Sequence, residues 1–334
     1  MIERVLIVSL GSIGERHLRI LRKRLPGAKV HVLRSGDREE TESITTHLDV
    51  ALDFSPQLAI IASPAPFHME TAAALVRSGC PVLIEKPIAA HSDGVGALLK
   101  YADARGVPVA VGYNMRFLSS LQRFRSLIHR GDVGRILSIR AEGGQYLPDW
   151  RPQKQWRETV SANANLGGGV LRELSHEIDY LRWIFGDISW VRAWLGYNGF
   201  NLDVEDTAHL TLGFQTHIEN IMGPPPVAVL SIDFARRDRV RRCAVIGEMG
   251  TLIWDLVRGD IRRYDEKGES ICYTNERLPD PDASYTIQLE TFIGAILKHD
   301  PVAVSGRDGL AVLRVIEAAE RSHLKHGKTQ FVEQ

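Results

Sequence analysis

Two charged residues follow a short apolar strand in the run Ile84-Glu85-Lys86-Pro87-Ile88. Residues 81–84 have the apolar pattern of a buried strand, and Pro87 stops it from continuing. Ligands of open α/β sheets bind beyond the carboxyl ends of the strands, so a lysine at this place is expected to point into the ligand crevice. The ordinary alternative is a solvated surface lysine at a strand end.

A second candidate for chemistry is the stretch after Gly167-Gly168-Gly169, where we predict a helix over residues 170–185. Its predicted buried stripe consists of Leu171, Leu174, Ile178 and Leu181. Glu173, His176 and Tyr180 fall on another face. A histidine three residues after a glutamate can be oriented by it, which favours a general acid or base. The alternative is a helix N-terminus with solvated polar residues.

A metal site is a weaker hypothesis for the same helix. Glu173-x-x-His176 and Glu320-x-x-His323 resemble the paired Glu-x-x-His motifs of di-iron helix bundles. Such a site needs further glutamates on a four-helix bundle, whereas this chain is rich in predicted strands. We therefore expect no metal.

Residues 145–157 contain both aromatic and basic residues. Rings can stack on sugars, and arginine can bind a carboxylate or phosphate through two hydrogen bonds. The candidate substrate contacts in this stretch are Tyr146, Trp150, Arg151 and Arg157. A rim or subunit contact is the alternative.

The N-terminus has the layout of a dinucleotide-binding turn. A predicted strand over residues 4–10 leads into Gly11-Ser12-Ile13-Gly14, and a helix follows over residues 16–25. The glycines allow a tight turn close to a pyrophosphate, and the helix N-terminus offers N–H groups. Ser9 stands where the Gly-x-Gly-x-x-Gly pattern has its first glycine, so an ordinary strand-to-helix turn is the alternative.

The end of the second predicted strand bears on the choice of cofactor. Residues 29–33 form this strand, and Arg34-Ser35 follow it. NAD-selective sites place an acidic residue here, whereas arginine suits the 2′-phosphate of NADP. Asp37 and Glu39 lie further along the chain. The pattern favours NADP over NAD.

Composition narrows the class of protein. The chain has 334 residues, which predicts two domains. Its 41 basic and 41 acidic residues balance, so nothing favours a nucleic-acid or membrane partner. The three cysteines fit no zinc spacing and suit a reducing cytoplasm. No apolar run is long enough to span a membrane, and Met1 leads straight into a strand rather than into a leader peptide.

The order of the predicted strands and helices changes near residue 118. Before it, apolar strands alternate with helices, which predicts a parallel sheet covered on both faces. After it, short strands joined by turns predict an antiparallel sheet. We therefore predict an α/β domain over residues 1–118 and a second domain over residues 119–334.

Taken together, these motifs resemble the Gfo/Idh/MocA oxidoreductases (glucose-fructose oxidoreductase, inositol dehydrogenase and relatives) over nearly the full length. The residues that carry the resemblance are Gly11-Ser-Ile-Gly-Glu-Arg-His17, Ala62-Ser-Pro-Ala-Pro-Phe-His68, Glu85-Lys86-Pro87, Gly112-Tyr-Asn114 and residues 167–179. The resemblance implies a Rossmann-type NAD(P)-binding domain and an α+β domain with an open, mostly antiparallel sheet that often forms the contact of a homo-oligomer. It also implies hydride transfer at a sugar-like carbinol.

By the same resemblance, Lys86 is the active-site lysine and His176 the catalytic histidine. The candidate cofactor contacts are Ser9, Gly11, Ser12, Ile13, Gly14, Arg34, Ser35, Ser63, Pro64, His68, Glu85, Lys86 and Asn114. The candidate substrate contacts are Lys86, Tyr146, Trp150, Arg151, Arg157 and Asp179.

Three features depart from the family or refine the resemblance. Ser9 replaces the first glycine, which predicts a loosened or reshaped pyrophosphate turn. The family often has an aspartate four residues before the histidine, where this chain has Arg172, so Glu173 is the candidate acidic partner. The Tyr-Leu-Pro-Asp-Trp and Leu-Ser-His-Glu-Ile-Asp-Tyr runs resemble a bacterial branch found with genes for nonulosonic or other surface sugars.

We therefore expect a cytoplasmic NAD(P)-dependent oxidoreductase that acts on a sugar, sugar acid or nucleotide sugar. Two alternatives stay open. One is an enzyme that retains NAD and cleaves glycosidic bonds by oxidation, elimination and re-reduction. The other is a non-catalytic sensor that binds NAD(P) and regulates a partner.

Overall fold

The structure is a computed structural model that describes residues 1–34, 44–150, 152–153, 155–197, 199–215, 224–274 and 280–333. The strands are β1 (Arg4–Val8), β2 (Lys29–Leu33), β3 (Ile44–Thr45), β4 (Leu58–Ile61), β5 (Val82–Ile84), β6 (Val109–Val111), β7 (Ile136–Gly144), β8 (Ile188–Gly196), β9 (Thr207–Phe214), β10 (Val227–Asp233), β11 (Val240–Gly247), β12 (Gly250–Asp255), β13 (Asp260–Asp265), β14 (Gly268–Thr274) and β15 (Gln330–Phe331). The helices are α1 (Ser12–Arg24), α2 (Leu48–Asp53), α3 (His68–Arg77), α4 (Val95–Ala104), α5 (Ser119–His129), α6 (Val170–Glu173), α7 (His176–Phe185), α8 (Ala283–Lys298) and α9 (Gly306–Leu324). None of the helices in these ranges is long and apolar enough to cross a membrane.

The chain divides into two compact units. The first unit is Met1–Asn114 with Asp280–Leu313, and the second unit is Met115–Pro279 with Arg314–Gln334. The sequence prediction kept every residue after 118 in one domain, whereas residues 280–313 pack with the first unit. An amphipathic pattern shows that a helix has a buried face, but not which sheet covers that face.

The first unit contains a six-stranded parallel sheet in the order β3-β2-β1-β4-β5-β6. Every residue of β4, β5 and β6 is buried, as expected for parallel strands covered on both faces. Helix α8 helps to cover the sheet, because its Leu289, Phe292 and Ala295 belong to the same core as Val5 and Ile7. The strand order reverses between β1 and β4, the place where ligands bind in such sheets. The predicted Rossmann-type domain is confirmed.

The second unit contains a nine-stranded sheet in the order β14-β13-β12-β11-β7-β10-β9-β8-β15. Its neighbouring strands are antiparallel except β7 and β10, which are parallel. One cross-strand row is fully buried and consists of Ala193, Leu210, Leu230, Ala141, Cys243, Trp254 and Ile261. The adjacent row lies on the opposite face, contains no buried residue, and consists of Arg192, Thr211, Val229, Arg140, Ala244, Ile253, Arg262 and Ile271. The predicted open, mostly antiparallel sheet is thus confirmed.

Helices α5 and α7 pack on the buried face of this sheet around Trp254. The indole Nε1 of Trp254 donates to Ser120 Oγ of α5 at 3.1 Å. The ring of Tyr180 on α7 meets the indole edge-on, with ring centroids 5.5 Å apart. Tyr180, which the spacing placed on a polar face, is therefore fully buried. The helix packs against neighbours on more than one side, which a single apolar stripe does not reveal.

The helix predicted over residues 170–185 is two helices, α6 and α7. Leu174, at the end of α6, has left regular helical geometry, with φ −98° and ψ 26°. Ser175 Oγ donates to the carbonyl oxygen of Arg172 at 2.9 Å. A serine that bonds its own backbone competes with the helical hydrogen bonds, which explains the break.

The turn between β1 and α1 keeps the backbone shape that glycine normally provides. Ser9 has φ +74°, in the left-handed region, and its N–H donates to the carbonyl oxygen of Leu33 at 2.8 Å. A Cβ on Gly14 would lie 2.2 Å from the Ser9 carbonyl oxygen, so this glycine allows α1 to pack closely on the turn. The turn is therefore built as the glycine pattern requires, although Ser9 carries a side chain.

We expect Ser9→Gly to raise the free energy of unfolding by about 0.5–1 kcal/mol. A side chain in the left-handed region costs about 1–2 kcal/mol, part of which the greater flexibility of glycine in the unfolded chain offsets. Urea denaturation followed by circular dichroism measures the change. Ser12→Gly is the matched control, because Ser12 lies in the first turn of α1, where glycine lowers stability. A Ser9→Gly variant no more stable than the wild type would contradict the argument.

Candidate active site

The N-terminus of α1 is open toward solvent and has no side-chain cap. Gly11 precedes the helix, and a Cβ built on it would meet nothing within 4 Å. Gly11 and Ser12 are exposed, and Ile13 is partly buried. The first N–H groups of a helix need partners from outside it, and an anion is a suitable one. This turn therefore offers the cradle that a dinucleotide pyrophosphate needs.

Glu85, at the end of β5, is buried and bonds to two different segments of the first unit. Its Oε1 lies 2.7 Å from Nε2 of His17, which is a buried residue of α1. Its Oε2 accepts a hydrogen bond from the backbone N–H of Lys86 at 3.3 Å. A Cβ on Gly112 would lie 2.9 Å from the same Oε2. The carboxylate of Glu85, predicted as a cofactor contact, thus points inward and ties α1 to the segment that carries Lys86.

Lys86 itself is partly buried and directly follows Glu85. The peptide bond between Lys86 and Pro87 is cis. Because β5 is a parallel strand of the first sheet, Lys86 lies at the carboxyl edge of that sheet, as predicted.

His68 joins two loops at the same edge of the sheet. Its Nδ1 lies 3.0 Å from the carbonyl oxygen of Pro87, and its Nε2 lies 2.7 Å from that of Ser63. Burial lowers the pKa of His68, while these carbonyls and the nearby Glu85 charge act in the opposite direction. Ser63 Oγ is buried without a hydrogen-bond partner in the described residues, and Pro64 is partly buried. His68 therefore positions the loops rather than exposing its own ring.

Two further predicted cofactor contacts have described surroundings. Asn114 is buried, and its Nδ2 donates to Ser284 Oγ at 2.8 Å. The backbone N–H of Arg34 donates to the carbonyl oxygen of Thr45 at 2.9 Å, which continues the pairing of β2 with β3. Ser35 lies outside the described residues.

In the second unit, the start of α6 is enclosed by the chain itself. Gly168 has the backbone oxygens of Val160 and Ser161 so close that a Cβ would lie 2.3 and 2.8 Å from them. A Cβ on Gly169 would lie 2.5 Å from the carboxylate of Glu205, which also accepts from the Leu171 N–H at 3.0 Å. Burial raises the pKa of Glu205. The glycine run thus accommodates this chain's own atoms.

His176 and Glu173 flank the break between the helices. Glu173 ends α6, and His176 begins α7. Both side chains are partly buried. Glu173 and His176 therefore do not lie on one continuous helix. The spacing of three residues alone does not show that Glu173 orients the imidazole.

Asp179 is held by a buried arginine. Arg116 Nε donates to Asp179 Oδ2 at 2.9 Å, and Arg116 Nη2 donates to Oδ1 at 2.6 Å. Asp179 is fully buried, and Arg116 is 6% exposed. Two residues before it, Glu177 is also fully buried and accepts from Arg241 Nε at 2.6 Å. Asp179, predicted as a substrate contact, thus anchors the first turn of α7 beside His176.

Arg172, four residues before His176, bonds to α9. Its Nη1 lies 2.5 Å from Glu320 Oε1. His323, one turn later on α9, accepts from the Leu195 N–H at its Nδ1 over 3.2 Å. Among the described residues, no group of three or more His, Cys, Asp or Glu side chains could hold a metal ion. In the second Glu-x-x-His motif, Glu320 therefore has an ion-pair partner and His323 has a backbone partner.

The aromatic segment forms a cluster with residues that the motif did not include. Cζ of Arg237 lies 3.6 Å from the centre of the Tyr146 ring, and the Phe200 ring lies 5.6 Å from Tyr146. Cζ of Arg157 lies 4.1 Å from the centre of the Trp156 ring. No local pattern pointed to Phe200 or Arg237, which come from loops after β8 and β10.

The same segment contains two other predicted substrate contacts, Trp150 and Arg151. Trp150 donates its Nε1–H to the carbonyl oxygen of Gln145 at 3.1 Å, and its ring meets Phe234 edge-on at 5.3 Å. Arg151 lies outside the described residues.

Comparison with known proteins supplies a family. Residues 3–113 match the family described as "Oxidoreductase family, NAD-binding Rossmann fold", and residues 121–253 match the "GFO/IDH/MocA C-terminal domain". A similar relative is the scyllo-inositol 2-dehydrogenase (NADP(+)) IolW of Bacillus subtilis (strain 168), which is 24% identical over 86% of this chain and 82% of its own.

Solved structures share the fold over nearly the whole chain. GenD2 from gentamicin A biosynthesis, in complex with NAD, has a TM-score of 0.81 and 24% identity over 99% of this chain and 97% of its own. The WlbA dehydrogenase from Bordetella pertussis, in complex with NADH and UDP-GlcNAcA, has a TM-score of 0.79 and 20% identity over 99% and 98%. With both halves of the chain matched, this protein belongs to the Gfo/Idh/MocA family of NAD-binding oxidoreductases.

Proposed function

We propose that this oxidoreductase transfers a hydride between the nicotinamide of NAD(P) and a carbinol or keto carbon of a sugar, sugar acid or nucleotide sugar. The observation that carries the proposal is the placement of Lys86. It lies at the carboxyl edge of a Rossmann sheet, and its neighbour Glu85 is bonded to the helix that follows the open β1–α1 turn. IolW and WlbA, by their names, concern an inositol and a UDP-sugar acid, which supports a polyhydroxylated substrate.

Each candidate residue has a separate role in the proposed reaction. The N-terminus of α1 would hold the cofactor's pyrophosphate, and the bound nicotinamide supplies or accepts the hydride. The Lys86 ammonium stabilises negative charge that develops on the carbinol oxygen. A ring nitrogen of His176 accepts the hydroxyl proton or returns it, a role suited to a side chain that titrates near neutral pH when unperturbed. Glu85, His17 and Asp179 position these groups, and Glu173 is the candidate partner of the imidazole.

We expect Lys86→Met and His176→Ala each to lower turnover by about 10²- to 10⁴-fold, the usual contribution of a general acid or base. NADH affinity should stay nearly unchanged. The double variant should lose much less than the product of the two losses, because both groups serve one proton-transfer step. Turnover is measured as NAD(P)H absorbance over a panel of inositols, hexoses, uronic acids and UDP-sugars.

The matched control for this test is Lys100→Met, which removes an exposed lysine of α4 and should change nothing. Wild-type turnover in both active-site variants would reject the assignment. Conversion of a glycoside without net change in NAD(P)H absorbance would instead favour the elimination chemistry of NAD-retaining glycosidases.

We further propose that NADPH is preferred over NADH, because Arg34 directly follows β2, where a 2′-phosphate would lie. The printed name of IolW specifies NADP(+), whereas the GenD2 and WlbA structures contain NAD and NADH. Arg34→Ala should weaken NADPH about 10-fold or more and leave NADH nearly unchanged, since a charge-assisted bond is worth about 1.5–3 kcal/mol. Fluorescence titration of both cofactors, with Arg22→Ala as control, measures this. Equal weakening of both cofactors would exclude the pairing.

We also propose a homo-oligomer built on the open face of the nine-stranded sheet. That face carries exposed apolar side chains, among them Val229 at 48% and Ile271 at 65% exposure. Light scattering at micromolar concentration should give a multiple of 37.3 kDa. Val229→Glu should lower the mass, whereas Met249→Glu, at the exposed turn between β11 and β12, should not. A monomeric wild type would end this proposal.

A further inference from the structure

The second unit contains a patch of two arginines stacked on aromatic rings, formed by Tyr146, Trp156, Phe200, Arg157 and Arg237. We propose that this arginine–aromatic patch binds an anionic group, a carboxylate or a phosphate, of the sugar-like substrate. The inference rests on the function proposed above, and it narrows the substrate class from polyhydroxylated to negatively charged.

The three rings of the patch are in contact through Phe200 and are inclined to one another, at 44° for Tyr146 and 70° for Trp156. The Phe200 ring lies between the other two, with centroids 5.6 Å from Tyr146 and 5.4 Å from Trp156. Arg237 covers the face of Tyr146 at 3.6 Å, and Arg157 covers Trp156 at 4.1 Å. A guanidinium held over a ring face by a cation–π contact still has N–H groups with which to bind a ligand. Each arginine is thus ordered in advance for a bond to two oxygens of an anion.

These two arginines lack the carboxylate partner that Arg236 and Arg241 have in the described residues. Arg236 bonds Glu142 and Asp238, and Arg241 bonds Glu177. Within the described ranges, neither Arg157 nor Arg237 has a carboxylate partner. Both side chains are exposed, so an anion can reach them. Two exposed guanidinium groups that form no ion pair with the described part of the chain favour a negatively charged ligand.

The three segments that carry the rings all meet the helices near His176. β7, which leads to Tyr146, approaches Glu177 so closely that a Cβ on Gly143 would lie 2.8 Å from its Oε1. The stretch after Trp156 accepts the Gly169 N–H on the Ser161 carbonyl oxygen at 3.1 Å. The loop after Phe200 accepts the Val170 N–H on the Glu205 carbonyl oxygen at 3.0 Å. The patch is therefore fixed to the same helix starts as the proposed general base.

The expected binding free energy of an arginine–anion contact determines which ligands should be compared. A hydrogen bond to a charged group contributes about 1.5–3 kcal/mol, which corresponds to roughly 10- to 100-fold in affinity. A neutral sugar that only stacks on the rings gains nothing from either guanidinium. The difference between an anionic and a neutral sugar of the same ring therefore reports on the arginines, while the neutral sugar reports on the rings.

The test is isothermal titration calorimetry of the NADH-saturated protein with D-glucuronate, D-glucose 6-phosphate and D-glucose. We expect one anionic sugar to bind at least 10-fold more tightly than glucose. Arg157→Gln and Arg237→Gln should each lower its affinity about 10- to 100-fold without changing the affinity for glucose. Preference for glucuronate identifies a carboxylate ligand, and preference for glucose 6-phosphate identifies a phosphate.

Arg105→Gln is the matched control. It removes another arginine that lies over a single ring, that of Tyr101 at 5.8 Å, in the first unit. The proposal is overturned if neither anionic sugar binds saturably, if glucose binds as tightly, or if the patch variants lose no more affinity than Arg105→Gln. A loss of oligomeric mass in the patch variants, with anion affinity unchanged, would identify the patch as a subunit contact and reject it as a ligand site.

These outcomes separate the anion subsite from the proposed chemistry. Arginine-dependent binding without NAD(P)H turnover on any substrate would leave the subsite standing and remove the oxidoreductase assignment to a carbinol. Turnover of neutral sugars that substitution of Arg157 and Arg237 does not change would support the oxidoreductase assignment and reject the anion subsite.

Discussion

The placement of Lys86 depends on one buried hydrogen bond, between His17 and Glu85. The two residues are 68 positions apart in the chain, and their side-chain atoms lie 2.7 Å apart in the interior. Removing either partner leaves the other without its bond in a buried place, at a cost of about 1–3 kcal/mol. The larger effect concerns position, because a shift of about 1 Å in a reacting group can lower a rate about 100-fold. The pyrophosphate turn, α1 and the lysine thus form one rigid block.

Helix α7 is held in the second unit by the same kind of constraint. Asp179 and Glu177 are both fully buried, and each is bonded to an arginine, Arg116 and Arg241. A buried ion pair adds little net stability compared with apolar packing, but breaking it leaves an unpaired buried charge at a cost of about 3–5 kcal/mol. Such pairs are therefore suited to fixing one arrangement. Here they fix the first turn of the helix and leave the His176 ring partly exposed beside them.

The sequence predicted what depends on local pattern, and it failed where distant segments decide the outcome. The apolar strands, the glycine turn and the position of Lys86 were predictable because each follows from hydrophobic periodicity and a few turn residues. The inward orientation of Glu85 was not, since its partner His17 belongs to another element. The break at Ser175 had a local cause, a side chain that bonds its own backbone, but a serine inside an apolar stripe does not distinguish a kink from a continuous helix. Phe200 and Arg237 could be joined to Tyr146 only by the pairing of β8, β9, β10 and β7.

Arg172 shows how the charge near the histidine is arranged in this chain. The family resemblance led us to expect an aspartate at this position, four residues before the histidine, whereas here an arginine pairs with Glu320 of α9. The pair is neutral as a whole, so position 172 no longer supplies negative charge to the site. Burial raises the pKa of the nearby Glu205 carboxylate, which lies beside the start of α6. Glu173 is an acidic side chain at the break between α6 and α7, and the anionic substrate that we propose would bring further negative charge. Arg172 is paired with Glu320, whereas Arg157 and Arg237 are exposed and stack on rings, and this difference is the basis on which we propose an anionic substrate.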